Sequence, residues 1–127
     1  MILDTNALSA LAGRDAGLIE RIANAPRLCV TLISLGEYAY GIAVCSAPRK
    51  KQLERWLDAF LERAEVLLPN RDTVGPYAAV RAQLKAAGTP IPANDCWIAA
   101  LTRQHGLSLV SKDRHFDRVA GIDRLDW

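Results

Sequence analysis

The sequence predicts an α/β layer fold in which helices cover both faces of a mainly parallel sheet. Two observations support this class. Short apolar segments typical of strands alternate along the chain with longer segments of helical periodicity. No internal repeat or linker-like stretch interrupts the alternation, and parallel neighbouring strands require crossover connections that pack against the sheet. The length of 127 residues fits a single domain, which we place at residues 1–127.

Five short apolar segments are predicted to be strands. They are β-branched in places and are bounded by polar or turn residues, and they comprise residues 1–3, 28–32, 65–68, 107–111 and 122–125. Only three residues precede Asp4 in the first of them, whereas a strand usually has about five or six residues. Either this strand is short or the native start lies upstream of Met1.

A helical hairpin is predicted in the middle of the chain. Residues 34–45 and residues 49–63 each carry one apolar face at helical spacing, and Pro48 separates them. The first face comprises Leu35, Tyr38, Ile42 and Cys45, and the second comprises Leu53, Trp56, Leu57, Phe60 and Leu61. The second helix also carries a compact basic cluster, for which a solvated face is favoured over phosphate binding: Arg49, Lys50, Lys51 and Arg55.

Two further helices are predicted in the second half of the chain. Residues 72–87 have apolar side chains at core spacing and end at Gly88, before a loop that contains Pro90 and Pro92. The next helix begins at Asn94 or Asp95 and continues through His105.

Composition and charge exclude several classes of protein. Half of the residues are apolar and 24% are charged, which excludes a disordered chain. No apolar run approaches the about 20 residues that cross a bilayer, and the N-terminus lacks a signal sequence, so we expect a cytoplasmic protein with no membrane association. The net charge of +2 is too small for binding nucleic acid mainly by phosphate neutralisation. Cys29, Cys45 and Cys96 form no CxxC pair, so neither a disulfide framework nor a zinc site is indicated.

Acidic residues are predicted to gather at one edge of the sheet. Asp4 ends the first strand, and Asp113 lies two residues beyond the fourth. Glu37 and Asp95 lie in the first turns of helices that leave the same edge. In open α/β sheets, functional groups collect outside the carboxyl ends of the strands. The sequence therefore indicates a candidate site built from these acids.

Each acid also has a purely structural interpretation. Ser34 and Glu37 match the capping-box pattern, in which Glu37 would bind a backbone amide. Asp4, Asp95 and Asp113 could each cap a helix or a turn. Taken singly, capping is favoured for each acid, but capping does not require acids from four distant segments to converge on one edge.

A convergent carboxylate cluster requires a counter-ion. Two carboxylates about 5 Å apart repel by roughly 3 kcal/mol at an effective dielectric constant near 20. Protonation or a hard cation relieves this repulsion, and oxygen ligands of this kind favour Mg²⁺ or Mn²⁺. Because no histidine or cysteine is expected to join the cluster, zinc is disfavoured. Such a metal would bind a phosphodiester oxygen and activate water, which indicates hydrolytic phosphoryl transfer by one or two ions.

At these residues the sequence resembles the PIN-domain ribonucleases, and within them the VapC toxins of bacterial and archaeal toxin–antitoxin pairs. The resemblance spans nearly the whole chain. It lies in a strand ending in Asp, a Glu early in a helix, and two later acidic stretches, found here as ILDTN (residues 2–6), SLGEYAYG (34–41), PANDCWIAA (92–100) and LVSKDRHF (109–116). Each fragment alone is weak, but all of them in this order are specific.

The resemblance implies a twisted, mainly parallel five-stranded sheet with a protruding helical hairpin, and Mg²⁺- or Mn²⁺-dependent endoribonuclease activity that arrests translation. It implies Asp4, Glu37, Asp95 and Asp113 as the catalytic acids, with Asp4 and Asp95 as metal ligands and Asn6 as a neighbour that positions water or metal. It also implies inhibition by a cognate VapB-like antitoxin docked against the hairpin, a homodimer, and higher assemblies with the antitoxin. The substrate would be RNA, with tRNA, rRNA and mRNA all open.

Several residues near these motifs have structural interpretations. Core packing is favoured over base stacking for Trp56, Trp97 and Trp127. His115 is expected to be a surface or packing residue, and Ser111 to make an ordinary strand-end hydrogen bond.

A non-catalytic interaction module with structural acids is the alternative function. Because a bound ligand stabilises the folded protein, Mg²⁺ or Mn²⁺ should raise the stability of a protein with a metal site appreciably and that of an interaction module very little.

Overall fold

The computed structural model describes residues 1–127 and contains a parallel sheet of five strands in the order β3-β2-β1-β4-β5. Every pair of neighbouring strands is parallel, so all of the carboxyl ends meet at one edge. The strands are short, as predicted, and comprise β1 (Ile2–Leu3), β2 (Cys29–Thr31), β3 (Glu65–Leu67), β4 (Leu109–Val110) and β5 (Arg124–Leu125).

Six α-helices flank the sheet: α1 (Thr5–Ala12), α2 (Ala16–Ile22), α3 (Leu32–Ala43), α4 (Ala47–Leu61), α5 (Val74–Ala86) and α6 (Ala93–His105). Two 3₁₀ helices, Arg71–Thr73 and Arg114–Arg118, precede α5 and follow β4. The five-stranded α/β class and helices α3 to α6 agree with the sequence prediction. Helices α1 and α2 were not predicted, because the segment after Asp4 was interpreted only as the end of a strand.

The helical hairpin consists of α3 and α4. Pro48 was predicted to lie between the two helices. It lies instead in the first turn of α4, where a missing amide hydrogen costs no helical hydrogen bond. The break falls at residues 44–46 instead. Trp56 of α4 packs between Phe60, on which its ring stacks at 5.4 Å, and the edge of Tyr38 in α3 at 5.6 Å. The aromatic residues therefore join the two helices, as the packing interpretation of Trp56 requires.

The two residues of β1 contribute to different cores because successive strand residues point to opposite faces. Ile2 is in register with Cys29 and Leu109, and these side chains pack with residues of α5 and α6. Leu3 is in register with Val30 and Val110, which pack with residues of α1 to α4. Helices therefore cover both faces of the central strands and hold the carboxyl edge rigidly. No helix combines the length and the hydrophobicity needed to span a bilayer.

Candidate metal centre

The centre begins where β1 and β4 end side by side. Asp4 follows β1 and is 5% exposed, and the fully buried Ser111 follows β4. The amide of Asp4 donates to the carbonyl oxygen of Val110 at 3.1 Å, which extends the strand pairing to this point. The hydroxyl of Ser111 then donates to Oδ2 of Asp4 at 2.7 Å. Strand pairing and the hydroxyl of Ser111 together thus fix the position of the first carboxylate.

Asn6 connects the same two chain segments through its amide. Its Nδ2 donates to Oδ2 of Asp4 at 2.8 Å and to Oγ of Ser111 at 3.1 Å. Its Oδ1 accepts from the backbone amide of Lys112 at 3.1 Å. The side chain predicted to neighbour the site therefore holds the carboxylate of Asp4 in one orientation and ties it to the turn after β4.

Asp113, Asp95 and His115 form the second half of the centre. Asp113 caps the 3₁₀ helix Arg114–Arg118 by accepting at Oδ1 from the amide of His115, at 2.8 Å. This turn folds the imidazole back, so that Nδ1 lies 3.3 Å from both Oδ2 of Asp95 and Oδ1 of Asp113. One ligand atom from each of the three residues lies within 4.8 Å of the others, which is a spacing that suits a metal ion.

The presence of His115 corrects the expectation that no histidine joins the acids. The physical reason is the turn chemistry of Asp113, which determines the direction of the next side chains. An Asp two residues before a histidine is a pattern that could have signalled this turn in the sequence. The capping interpretation is correct for Asp113, whose carboxylate caps the turn and also faces the centre.

Glu37 lies at the same edge of the sheet but has different partners. Its Oε2 accepts from Oγ1 of Thr5 at 2.7 Å, and its Oε1 accepts from Nδ2 of Asn94 at 2.7 Å. The capping-box interpretation is wrong for this residue, because α3 begins earlier and the hydroxyl of Thr31 caps it by accepting from the amide of Ser34. The Glu37 carboxylate is thus held between α1 and α6 by Thr5, for which no role was predicted, and by Asn94, which was predicted only to begin a helix.

Burial and mutual repulsion disfavour the charged carboxylates. Burial raises the pKa of Asp4, a rise that the hydrogen bond from Ser111 opposes and the charges of Glu37 and Asp113 reinforce. Burial, followed by the charges of Asp113 and Asp4, raises the pKa of Asp95 to about 6. Asp95 makes no helix-capping hydrogen bond, and Asp4 precedes α1 without a capping hydrogen bond from its side chain. The acids are therefore in electrostatic contact at a cost that capping does not explain.

A groove runs from this edge toward the helical hairpin. Its volume is about 440 Å³, and it lies between α1 and the α3–α4 hairpin. The lining combines polar, acidic, basic and aromatic side chains, among them Thr5, Glu37, Tyr38, Arg49 and Gln52. The groove is therefore continuous with Glu37, one of the predicted acids.

This fold, with acids at the carboxyl ends of its central strands, defines a PIN domain: the PIN-domain family model matches residues 1–122, and the chain belongs to that family. The relatives within it are VapC ribonucleases. The tRNA(fMet)-specific endonuclease VapC of Salmonella typhimurium is 31% identical, over 99% of this chain and 96% of that protein. Ribonuclease VapC2 of Haemophilus influenzae is 30% identical over the same shares of the two chains.

Solved structures of VapBC complexes have the same fold. The DNA-bound VapBC of Salmonella typhimurium superposes with a TM-score of 0.87 and 31% identity, covering 99% of this chain and 96% of that chain. VapBC-1 of nontypeable Haemophilus influenzae superposes with a TM-score of 0.86 and 27% identity over the same shares. The resemblance seen in the sequence is confirmed, as is the predicted five-stranded parallel architecture.

Proposed function

We propose that this chain is the toxin of a VapBC-type pair, a metal-dependent endoribonuclease that hydrolyses RNA phosphodiester bonds. The observation that carries the proposal is the gathering of Asp95 and Asp113, whose ligand atoms lie within 4.8 Å of each other, at the sheet edge where Asp4 follows β1. The chain is also 31% identical to a VapC endonuclease over 99% of its length. Such a cluster is costly without a cation, and a phosphodiesterase uses that cation in its chemistry.

The donor set fits Mg²⁺ or Mn²⁺, since carboxylate oxygens are the ligands that both ions accept. Asp4, Asp95 and Asp113 would hold the ion. Burial first, and then the charges of Asp113 and Asp4, raise the pKa of Asp95, and a cation would neutralise those charges. A bound divalent ion would supply Lewis-acid stabilisation of the phosphate charge and activation of the attacking water.

The chain's own residues position these ligands. Asn6 and Ser111 both donate to Oδ2 of Asp4, which fixes the orientation of this carboxylate at the sheet edge. Thr5 and Asn94 each donate to one oxygen of Glu37. The restrained carboxylate can therefore accept a proton from a water molecule, or orient that water molecule, without moving. A centre whose carboxylates are already oriented loses little free energy to reorganisation during the reaction.

The partners follow from the relatives. RNA is the substrate class, and tRNA is the first substrate to test because a relative is named as tRNA(fMet)-specific. A VapB-like antitoxin is the expected inhibitor, because related chains have been solved as VapBC complexes. We expect it to dock in the groove beside the α3–α4 hairpin, with the toxin as a homodimer and a higher assembly in the complex.

The test is cleavage of a purified tRNA pool by the wild type and by Asp4→Asn and Asp95→Asn, with Mg²⁺, Mn²⁺ or a chelator. Asp72→Asn, an exposed acid in the 3₁₀ helix Arg71–Thr73, is the matched control. We expect cleavage by the wild type and the control with either ion, and loss of at least about a hundredfold in the other two variants. Undiminished cleavage by purified Asp95→Asn would instead support the non-catalytic interaction module.

Expression in cells gives a second readout. We expect the wild-type chain alone to arrest growth and Asp4→Asn to relieve the arrest. Persistent arrest by a folded Asp4→Asn protein would mean that the toxicity is not nucleolytic.

A further inference from the structure

The imidazole of His115 is directed at the carboxylate cluster by its backbone. The 3₁₀ helix Arg114–Arg118 is anchored by Phe116, whose side chain is 1% exposed in the core beneath it. The amide of His115 is held by Asp113, which fixes the backbone from which the ring reaches Asp95 and Asp113.

The Nδ1 atom is buried and has no hydrogen-bond partner, although 41% of the side chain is exposed. It lies 3.3 Å from Oδ2 of Asp95 and 3.3 Å from Oδ1 of Asp113, distances at which a protonated ring would form an ion pair with either carboxylate. An imidazole nitrogen this close to two carboxylates carries either a proton that pairs with them or a lone pair that can bind a cation shared with them. An unpartnered buried polar atom therefore points into the same space as two carboxylates.

The separations match those of atoms that share one cation. Ligands bound at about 2.0–2.1 Å in tetrahedral geometry lie about 3.3–3.4 Å apart. The distances from Nδ1 to the two carboxylate oxygens, both 3.3 Å, agree with this spacing.

We propose that His115 is a nitrogen ligand which, with Asp95 and Asp113, gives this centre a preference for transition-metal cations of the Mn²⁺ to Zn²⁺ series over Mg²⁺. The inference rests on the proposed function, because it concerns the same centre. Neutral imidazole binds transition metals well, whereas Mg²⁺ prefers oxygen and retains much of its water. Mg²⁺ is therefore held by the carboxylates without Nδ1, and the later ions gain one more bond.

The binding test uses the full-length, chelator-treated protein and the metal ions alone. Isothermal titration with Mg²⁺, Mn²⁺ and Zn²⁺ is compared for the wild type, His115→Gln and His105→Gln. His105 is the chain's other histidine and ends α6, about 15 Å along that helix from Asp95. It therefore controls for adventitious binding to a surface imidazole.

We expect His115→Gln to weaken Zn²⁺ binding at least about tenfold, since loss even of outer-shell partners costs roughly 10–100-fold. Mn²⁺ binding should weaken by a smaller factor, Mg²⁺ binding should stay within about twofold, and His105→Gln should match the wild type for all three ions. Equal relative affinities for the three ions in His115→Gln and the wild type would overturn the proposal.

Pulsed electron paramagnetic resonance of the Mn²⁺ complex provides an independent readout. A directly bound imidazole gives a ¹⁴N modulation, which we expect in the wild type and in His105→Gln but not in His115→Gln. A wild-type complex without ¹⁴N modulation would mean that oxygen atoms alone hold the ion. Neither measurement involves RNA, so the ligand role of His115 can fail while the nuclease assignment stands, and the reverse is equally possible.

Discussion

The hydroxyl of Ser111 lies 2.7 Å from Oδ2 of Asp4, although the two residues are 107 positions apart in the sequence. The same oxygen atom of Ser111 accepts from Asn6 at 3.1 Å and from the amide of Asp113 at 3.0 Å. The ordinary strand-end hydrogen bond expected for Ser111 is therefore only part of its role. This one buried hydroxyl joins the residue after β1 to the turn after β4.

Replacing Ser111 should affect both stability and acid–base behaviour. In Ser111→Ala, the buried carboxylate of Asp4 loses a donor, and we expect the free energy of unfolding to fall by about 1–3 kcal/mol in chemical denaturation. Because that hydrogen bond favours the charged carboxylate, its loss should raise the pKa of Asp4 further, so the acid limb of the pH–cleavage profile should move to higher pH. Ser108→Ala, which removes a hydroxyl bound to the carboxylate of Asp123, is the control and should leave the profile in place.

Burial of Asp95, reinforced by repulsion from Asp113 and Asp4, should make the metal-free protein less stable as the pH rises. Its folded pKa of about 6 lies above the ordinary value of 3.8, so between those values the folded carboxyl holds a proton that the unfolded one has lost. Stability therefore falls with rising pH across this window, by at most about 3 kcal/mol. We expect Asp95→Asn to flatten this dependence and to unfold at a higher temperature than the wild type at pH 7. A steeper loss of stability in the variant would contradict the electrostatic account.

Divalent cations should stabilise the wild type through the same centre. At about a hundred times the dissociation constant, binding contributes about 2.7 kcal/mol, which corresponds to a Tm increase of roughly 5–15 °C for a domain of this size. Thermal unfolding with Mn²⁺ should show this increase, and a chelator should reverse it. Asp95→Asn should show little of the increase, while Asp72→Asn should respond like the wild type.

Asn94 should position Glu37 and contribute little to stability. Its amide donates to Oε1 of Glu37, and its side chain is otherwise exposed. We expect Asn94→Ala to lower the maximal cleavage rate roughly tenfold, because Glu37 loses one of its two restraints, with the free energy of unfolding changed by less than about 0.5 kcal/mol. Asn24→Ala, at an exposed position before β2, should cleave like the wild type.

Thr5 is the second restraint on Glu37 and allows a conservative rescue. Thr5→Ser keeps the hydroxyl that donates to Oε2, whereas Thr5→Val keeps the shape without the hydroxyl. We expect near wild-type cleavage from the former and roughly a tenfold loss from the latter, with equal affinity for Mn²⁺ in both. Equal cleavage by the two variants would remove Thr5 from the positioning of Glu37.

The sheet and most of its helices were predictable because apolar periodicity encodes burial directly. All five strands were located, and Asp4 and Asp113 were placed at one edge because parallel strands end together. Helices α1 and α2 were missed for a physical reason. Helix α1 spans 8 residues and buries only Ala7 and Leu8 fully, and α2 spans 7 residues and buries only Leu18, so neither is long enough for an apolar stripe to recur over several turns.

The gathering of the acids was predictable, but their partners were not. The hydrogen bonds from Thr5 and Asn94 to Glu37 join residues 32 and 57 positions apart, and no local pattern encodes such contacts. The start of α3 was placed too late, since Ser34 was taken as its cap although Thr31 precedes it with the same chemistry. The pattern of Asp113 and His115 could signal the local turn, but it does not encode the contact of His115 with Asp95, 20 positions earlier.

The central position of β1 has a consequence for the synthesis of this protein. Asp4 leaves the ribosome well before β4, Ser111 and Asp113, which follow it in the order of synthesis. A nascent chain therefore carries one carboxylate of the centre without its neighbours, and the hydrogen bond across 107 positions cannot form until Ser111 has emerged. The carboxylate centre is thus completed only after most of the fold has been synthesised.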